Sequence, residues 1–209
     1  MIFAGRKVVL ASASPRRLAI LRQIGVEPQV MPVDVDEIKV LAPGDDPEQL
    51  VTKNATMKAQ AAAAGCEDAI VLGSGTVVVL EGEIFGKPAD ETEAAGMLSL
   101  LSGREHQVYT GVCLIDTKTG RSISGADTCR VKFSPLSGED IEEYVATGEP
   151  MGKAGAYGIQ GRGALLIDKI DGDYYTVMGL SVAMLRRLAK VMEKLDRSKF
   201  IFYCRKIMT

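Results

Sequence analysis

The chain has 209 residues, 46% hydrophobic and 25% charged, the balance of an ordinary folded protein with material for a substantial core. Its formal charge of −2 and the lack of any polybasic run argue against a protein that coats nucleic acid or a membrane surface. No apolar run approaches the roughly 20 residues of a membrane span, and residues 1–12 show no secretory pattern, so a cytoplasmic protein is expected. Cys66, Cys113, Cys129 and Cys204 are scattered without a C-x-x-C pair, and His106 is the only histidine. Most zinc arrangements are thereby excluded, and any Ser-His or Cys-His mechanism would have to pass through His106. Its setting, Arg104-Glu105-His106-Gln107, reads as a polar start to a strand, a structural place.

In chain order, the apolar run Val8 to Ala11 stops at Ser12-Ala13-Ser14-Pro15-Arg16-Arg17 and is followed by a helical pattern to Gly25. Ser14 suits an N-cap, Pro15 the first helical position and Gly25 the far end. Two hydroxyls, two guanidinium groups and the positive end of a helix thus converge beyond a strand, where an oligophosphate would bind. The bland alternative is a capped helix with two solvated arginines.

Pro28 to Asp34 reads as extended, ending at Asp36-Glu37, before a proline- and aspartate-rich loop through Asp46 that can put acids beside the arginines. Asp46-Pro47 starts a long helix to Ala64, with Lys58 on a surface of small residues. Ala69 to Leu80 reads as a buried strand kinked or bulged at Gly73-Ser74-Gly75-Thr76, followed by a turn at Glu81-Gly82 and by Gly86-Lys87-Pro88. A helix capped by Asp90 runs to Ser102-Gly103. Strands follow over 107–116 and 126–133, then a short helix with a capping box at Ser137 and Asp140. The glycine-rich stretch from Lys153 to Gly163 is a loop that brings backbone close to a ligand. Asp171-Gly172 predicts a hairpin between 164–170 and 174–177, and Ser181 caps a last helix to Leu195. The irregular alternation predicts an α/β protein with a mixed sheet and no internal repeat.

Two phosphate-binding motifs fail. Gly82 to Lys87 has three residues between its glycines where a P-loop needs four, and Pro88 stands where Ser or Thr must bind magnesium. The glycines of 158–163 are spaced in reverse of the dinucleotide fingerprint.

Taken in order, Ser12 to Arg17, Asp36-Glu37, Lys58, Thr76-Val77-Val78, Gly86-Lys87-Pro88, Gly155 to Gly161 and Ile170 to Leu180 resemble the Maf family over nearly the whole chain. The resemblance implies a nucleoside triphosphate pyrophosphatase cutting the α–β linkage, on a fold similar to inosine triphosphatases: a long twisted mixed sheet flanked by helices, with two intimate lobes of one 1–209 domain about a cleft. It implies that Ser12, Ser14, Arg16, Arg17 and Thr76 hold the nucleotide. Lys58 and Lys87 would neutralise charge developing on the phosphates. Glu37 would be a magnesium ligand or water-orienting acid, Asp36 being the lesser partner. The Tyr157-Gly-Ile-Gln-Gly161 form is similar to the subgroup acting on dTTP and UTP, with Gln160 facing the pyrimidine edge. Mg²⁺ as cofactor and a homodimer follow from the same resemblance.

The chain departs from the family at one place. Members read Ala-Asp-Thr-Val-Val where this chain reads Ser74-Gly75-Thr76-Val77-Val78, so Gly75 stands at the position of the catalytic aspartate. Asp127, in Ala126-Asp127-Thr128, imitates the motif but lies too late in the chain. Loss of activity, rescue by Glu37 or Asp36, and a sequence variant stay open, and with them the alternatives of a silent nucleotide sensor or a structural protein of cell division.

Overall fold

The structure is a computed structural model that describes residues 2–3, 5–38, 40 and 46–207, with side chains through residue 195. The proline- and aspartate-rich loop read from the sequence falls largely at 39 and 41–45, outside the described residues.

Three long strands carry the architecture: β3 (Ala69–Leu80), β5 (Glu105–Asp116) and β6 (Arg121–Phe133), paired antiparallel. β1 (Lys7–Leu10) joins β3 in parallel and carries the two-residue β2 (Gln29–Val30) on its other side. β4 (Glu83–Phe85) folds back on the far end of β3, and β7 (Ile167–Asp171) closes the sheet on β6. The order is β2-β1-β3-β5-β6-β7 with β4 beside β3, a mixed seven-stranded sheet flanked by helices as the sequence predicts. Glu81 and Gly82 have φ of 51° and 88°, the left-handed pair that a two-residue hairpin requires.

The helices are α1 (Pro15–Gln23), α2 (Pro47–Ala63), α3 (Glu91–Leu101), α4 (Gly138–Ala146), α5 (Tyr174–Met178) and α6 (Val182–Ile207). Their starts follow cap chemistry. Ser14 Oγ accepts from Arg17 N–H, Asp46 from Glu48, Asp90 from Glu93 and Ser181 from Met184, and Ser137 with Asp140 completes the predicted capping box.

Side-chain alternation along β3 divides the core. On one face Ile70 and Leu72 pack with Leu10, Ile20, Leu21 and Leu185, while Val78 and Leu80 pack with Phe85, Leu98, Phe133 and Tyr144. Between these two apolar clusters lie Ser74 and Thr76, with Thr110 of β5 beside them. On the opposite face Val71 meets Ala55 and Ala59 of α2, and Val77 and Val79 meet Leu50 and Val51.

Three expectations are corrected. β3 is neither kinked nor bulged: its register with β5 is unbroken from Ile70 to Val79. Its glycines serve close packing instead, since a Cβ at Gly73 would sit 2.1 Å from Ala55 O, and one at Gly111 of β5 would sit 2.2 Å from Val51 O. No hairpin forms at Asp171-Gly172, because Asp173 accepts from both the Thr176 N–H and hydroxyl and starts α5 where a second strand was read. His106 takes the expected structural place at the start of β5, between exposed Glu105 and Gln107, with its own ring buried. It is 2% exposed, edge-on to Phe133 and Tyr157, and burial pulls its pKa down to about 4. The last helix also runs past Leu195 to Ile207. Cys66, Cys113 and Cys129 are free thiols.

Candidate functional site

The edge of β3 explains where the site lies. β1 pairs with β3 only as far as Leu72, and β4 joins only at Val78, so no described strand covers that edge between them. Backbone groups there need other partners. Ala11 N–H donates to Leu72 O at 2.8 Å as the chain turns away, and the Lys58 ammonium donates to Ser74 O at 3.4 Å. A cleft of about 550 Å³ opens over this gap, and Ser12, Ser14, Arg16, Arg17, Glu37, Lys58, Thr76, Lys87 and Gln160 all line it.

Arg17 is the hub of the floor. Its Nε donates to Gly179 O at 2.8 Å, Nη1 to Ser12 Oγ at 3.0 Å and Nη2 to Thr76 Oγ1 at 3.2 Å. Thr76 shares a 2.9 Å hydroxyl contact with Thr110, which donates to Thr176 O, and Ser74 Oγ donates to Gly179 O at 2.9 Å. These bonds tie the α1 end, β3, β5 and α5 together, and they satisfy polar groups lying between two apolar clusters. Burial lowers the Arg17 pKa to about 10, with Glu37 opposing and Arg16 reinforcing, so it remains a cation at neutral pH. Arg16 is half-buried, its pKa lowered by burial against an opposing effect of Tyr144.

Across the cleft, Glu37 Oε2 lies 2.6 Å from Lys58 Nζ and Oε1 lies 3.9 Å from Lys87 Nζ. Burial alone would raise the Glu37 carboxyl, but the Lys58 hydrogen bond and the charges of Lys58, Lys87 and Arg17 bring it below its usual range. Lys58 is lowered too, because burial and Arg17 outweigh its carboxylate partner. The cationic neighbours thus favour the Glu37 carboxylate, while burial and those same neighbours disfavour the charged form of Lys58.

The glycine-rich loop forms the third wall. Gly155 takes a left-handed φ of 68° and its N–H donates to Gly86 O, which binds the loop to the segment carrying Lys87. A Cβ there would press into Val78 at 2.9 Å. The Tyr157 hydroxyl meets His106 Nε2 at 2.7 Å, Gly158 N–H donates to the Tyr144 hydroxyl, and Glu149 accepts from Arg162 and Gly163 N–H. The loop is thus pinned on both sides of Gln160, whose side chain is exposed at the cleft.

Gly75 does not line the cleft. It belongs to the α2 face of β3, where an added Cβ would meet Asn54 Cβ at 3.0 Å and Val51 O at 3.1 Å. Asp36 is exposed and also absent from the lining. Asp127 is engaged elsewhere, by the Ser181 hydroxyl and Arg187. Sequence reasoning missed Ser74, Thr110, Gly179, Asn54 and Lys153, which line the cleft or brace it. Only Gly179 carried a local signal, a glycine closing a short helix begun by Asp173.

Among the described residues no three His, Cys, Asp or Glu side chains gather as a metal cage. The one carboxylate of the lining among the described residues, Glu37, fits magnesium bound in its usual phosphate-site mode, in which one or two carboxylates are completed by substrate oxygens and water.

Comparison with known proteins gives a family model described as Maf-like protein, matching residues 7–192. A dTTP/UTP pyrophosphatase of Symbiobacterium thermophilum is 51% identical over 175 residues, 84% of this chain and 88% of the relative. Relatives of the same name from Dictyoglomus thermophilum and Clostridioides difficile are each 45% identical over 183 residues, covering 88% of this chain and 94% and 93% of theirs.

Proposed function

This chain belongs to the Maf-like protein family, and from that premise we propose that it hydrolyses the α–β phosphoanhydride of dTTP, UTP and related pyrimidine nucleotides to a monophosphate and pyrophosphate. The observation that carries the reading is the charge of the cleft. Among the described residues Arg16, Arg17, Lys58, Lys87 and Lys153 line the cleft with one carboxylate, Glu37, in a protein whose net charge is slightly negative. Such a local excess of cation matches an oligophosphate of a nucleotide-sized ligand. The names of the relatives support the pyrimidine triphosphate.

In this reading Ser12, Ser14 and Arg16 receive the phosphates at the α1 N-terminus, with Arg17 and Thr76 fixing the floor beneath them. Gln160 presents its amide to the base edge, on a loop that Tyr157 and Glu149 hold in shape. Water attacks the α-phosphorus, the bond from that phosphorus to the bridging oxygen breaks, and pyrophosphate leaves with the electron pair. Glu37 orients the water and takes its proton. Its carboxyl is held low, so orientation is the larger part of that role. Lys58 and Lys87 stabilise the charge that builds on the bridging and non-bridging oxygens. A divalent cation bound with the triphosphate would be held by Glu37, and it supplies charge neutralisation and a more acidic water.

The glycine at position 75 favours a second reading, a nucleotide sensor that binds without turnover. Loss of a general base costs about 10²–10⁴-fold and leaves electrostatic positioning in place, so turnover falls to that level only where Glu37 does not act as the base. We further propose a cytoplasmic homodimer that binds neither nucleic acid nor membrane. Its charge, the general prevalence of twofold assemblies and the lack, among the described residues, of a helix able to cross a membrane support this reading.

Pyrophosphate release from a panel of nucleoside triphosphates with Mg²⁺, beside nucleotide binding, tests the reading. Turnover of dTTP and UTP above purine nucleotides supports it. Binding without turnover moves the sensor to the front, and neither binding nor turnover removes the phosphate site.

A further inference from the structure

Glu37 sits on an irregular segment whose start is held by Met31 and Val33 against the core and by the Met31 N–H to Leu10 O. Beyond β2 the chain from Met31 to Ile38 forms no regular element, and Ile38 is 38% exposed. Its anchor is Asn54 of α2, a polar side chain only 2% exposed. Asn54 Oδ1 accepts from Ile38 N–H at 2.8 Å, and Asn54 Nδ2 donates to Ile38 C=O at 2.9 Å. One amide thus satisfies both backbone groups of a single residue, as a neighbouring strand would.

Lys58 lies four residues after Asn54 and therefore on the same face of α2. Consecutive residues of this irregular segment are gripped from consecutive turns of one helix: Ile38 through its backbone by Asn54, and Glu37 through its carboxylate by Lys58. The space under Asn54 is set by residue 75, since a Cβ there would approach Asn54 Cβ to 3.0 Å, closer than such carbons normally sit.

We infer that Asn54 is a positioning residue for Glu37, and that the missing side chain at Gly75 gives Asn54 the room to act. The inference deepens the proposed hydrolysis, and rests on it for the kinetic part only. Gly75 is then more than a lost acid: it belongs to a pair that transfers the burden onto one well-held carboxylate.

Two variants test this in the full chain. Asn54→Leu keeps the volume and removes both bonds to Ile38. Gly75→Ala keeps the amide but drives a methyl against it. Asn54→Leu is expected to raise amide exchange at Ile38 at least tenfold and to lower kcat for dTTP at least tenfold, with KM changed less than threefold and the melting temperature within a few degrees. Gly75→Ala is expected to move both readouts in the same direction by a smaller factor. Unchanged Ile38 exchange in Asn54→Leu overturns the proposal, as does faster exchange with unchanged kcat, or a loss carried entirely by KM. Should the unaltered chain release no pyrophosphate from any nucleotide, the proposed function fails, and the exchange result alone decides the role of Asn54.

Discussion

The two faces of β3 solve opposite problems over the same few residues. On the α2 face, Gly73 and Gly75 with Gly111 of β5 have no side chains, so a helix can lie with its backbone almost on the sheet. On the cleft face, the Thr76 hydroxyl is bonded to Arg17 and Thr110, and those of Thr110 and Ser74 to carbonyls of the α5 end. One face is fixed by steric contact and the other by hydrogen bonding. The comparison teaches that a glycine in this strand is first a packing residue, and that Gly75 is to be judged by what it lets α2 do as well as by the acid it lacks.

The largest effect belongs to the packing face. Gly111→Ala puts a Cβ 2.2 Å from Val51 O, a clash with backbone that only a shift of α2 can relieve. A loss of about 4 kcal/mol or more is expected in urea denaturation. Gly75→Ala, whose contacts begin at 3.0 Å, is expected to cost about 1 kcal/mol. Equal costs at the two positions would break the graded picture.

On the cleft face, Arg17→Met removes one hydrogen bond each from Ser12, Thr76 and the Gly179 carbonyl, which keep only their bonds to Ser14, Thr110 and Ser74. A stability loss of about 2–3 kcal/mol is expected, with kcat/KM for dTTP down about 10²-fold. Arg16→Met is expected to lose similar activity with stability unchanged within about 0.5 kcal/mol, which denaturation beside steady-state kinetics would show. If both arginines cost stability alike, the hub is misplaced.

His106 offers a test through pH. Buried and neutral, it titrates near 4 in the folded chain against an ordinary 6.5, so below pH 6.5 the unfolded state takes up a proton that the folded state refuses. Stability is then lost as pH falls from 6.5 towards 4. Linkage puts the loss between pH 7 and pH 5 at about 2 kcal/mol, and His106→Gln is expected to flatten that slope. A small effect is expected at the first loop, where Ser14→Ala removes a cap at 3.4 Å and costs about 1 kcal/mol in the same assay, as at Gly75.

Helix starts were legible in the sequence because capping is local chemistry, and Ser14, Asp46, Asp90, Ser137 and Ser181 each do in space what their neighbours imply. The cleft-lining residues were legible because their spacing resembled a family. What stayed hidden depends on partners far away in the chain. The glycines of β3 read as a bulge because α2, whose backbone needs their space, is about 20 residues earlier. Asp171-Gly172 reads as a hairpin because the dipeptide is a strong local turn signal, whereas in the structure Asp173 caps a helix. Asn54 read as one more helical position, since its bonds to Ile38 depend on how an irregular segment crosses α2.

The central claim is that one carboxylate, Glu37, suffices for hydrolysis in a cleft where position 75 has none. Pyrophosphate release from dTTP with Mg²⁺, measured on this chain beside Glu37→Gln and Gly75→Asp with binding measured on all three, tests it most directly. The account predicts release by the unaltered chain, a loss of at least about 10²-fold in Glu37→Gln with binding retained, and no large gain in Gly75→Asp. Binding without release in the unaltered chain, with release appearing only in Gly75→Asp, would contradict it.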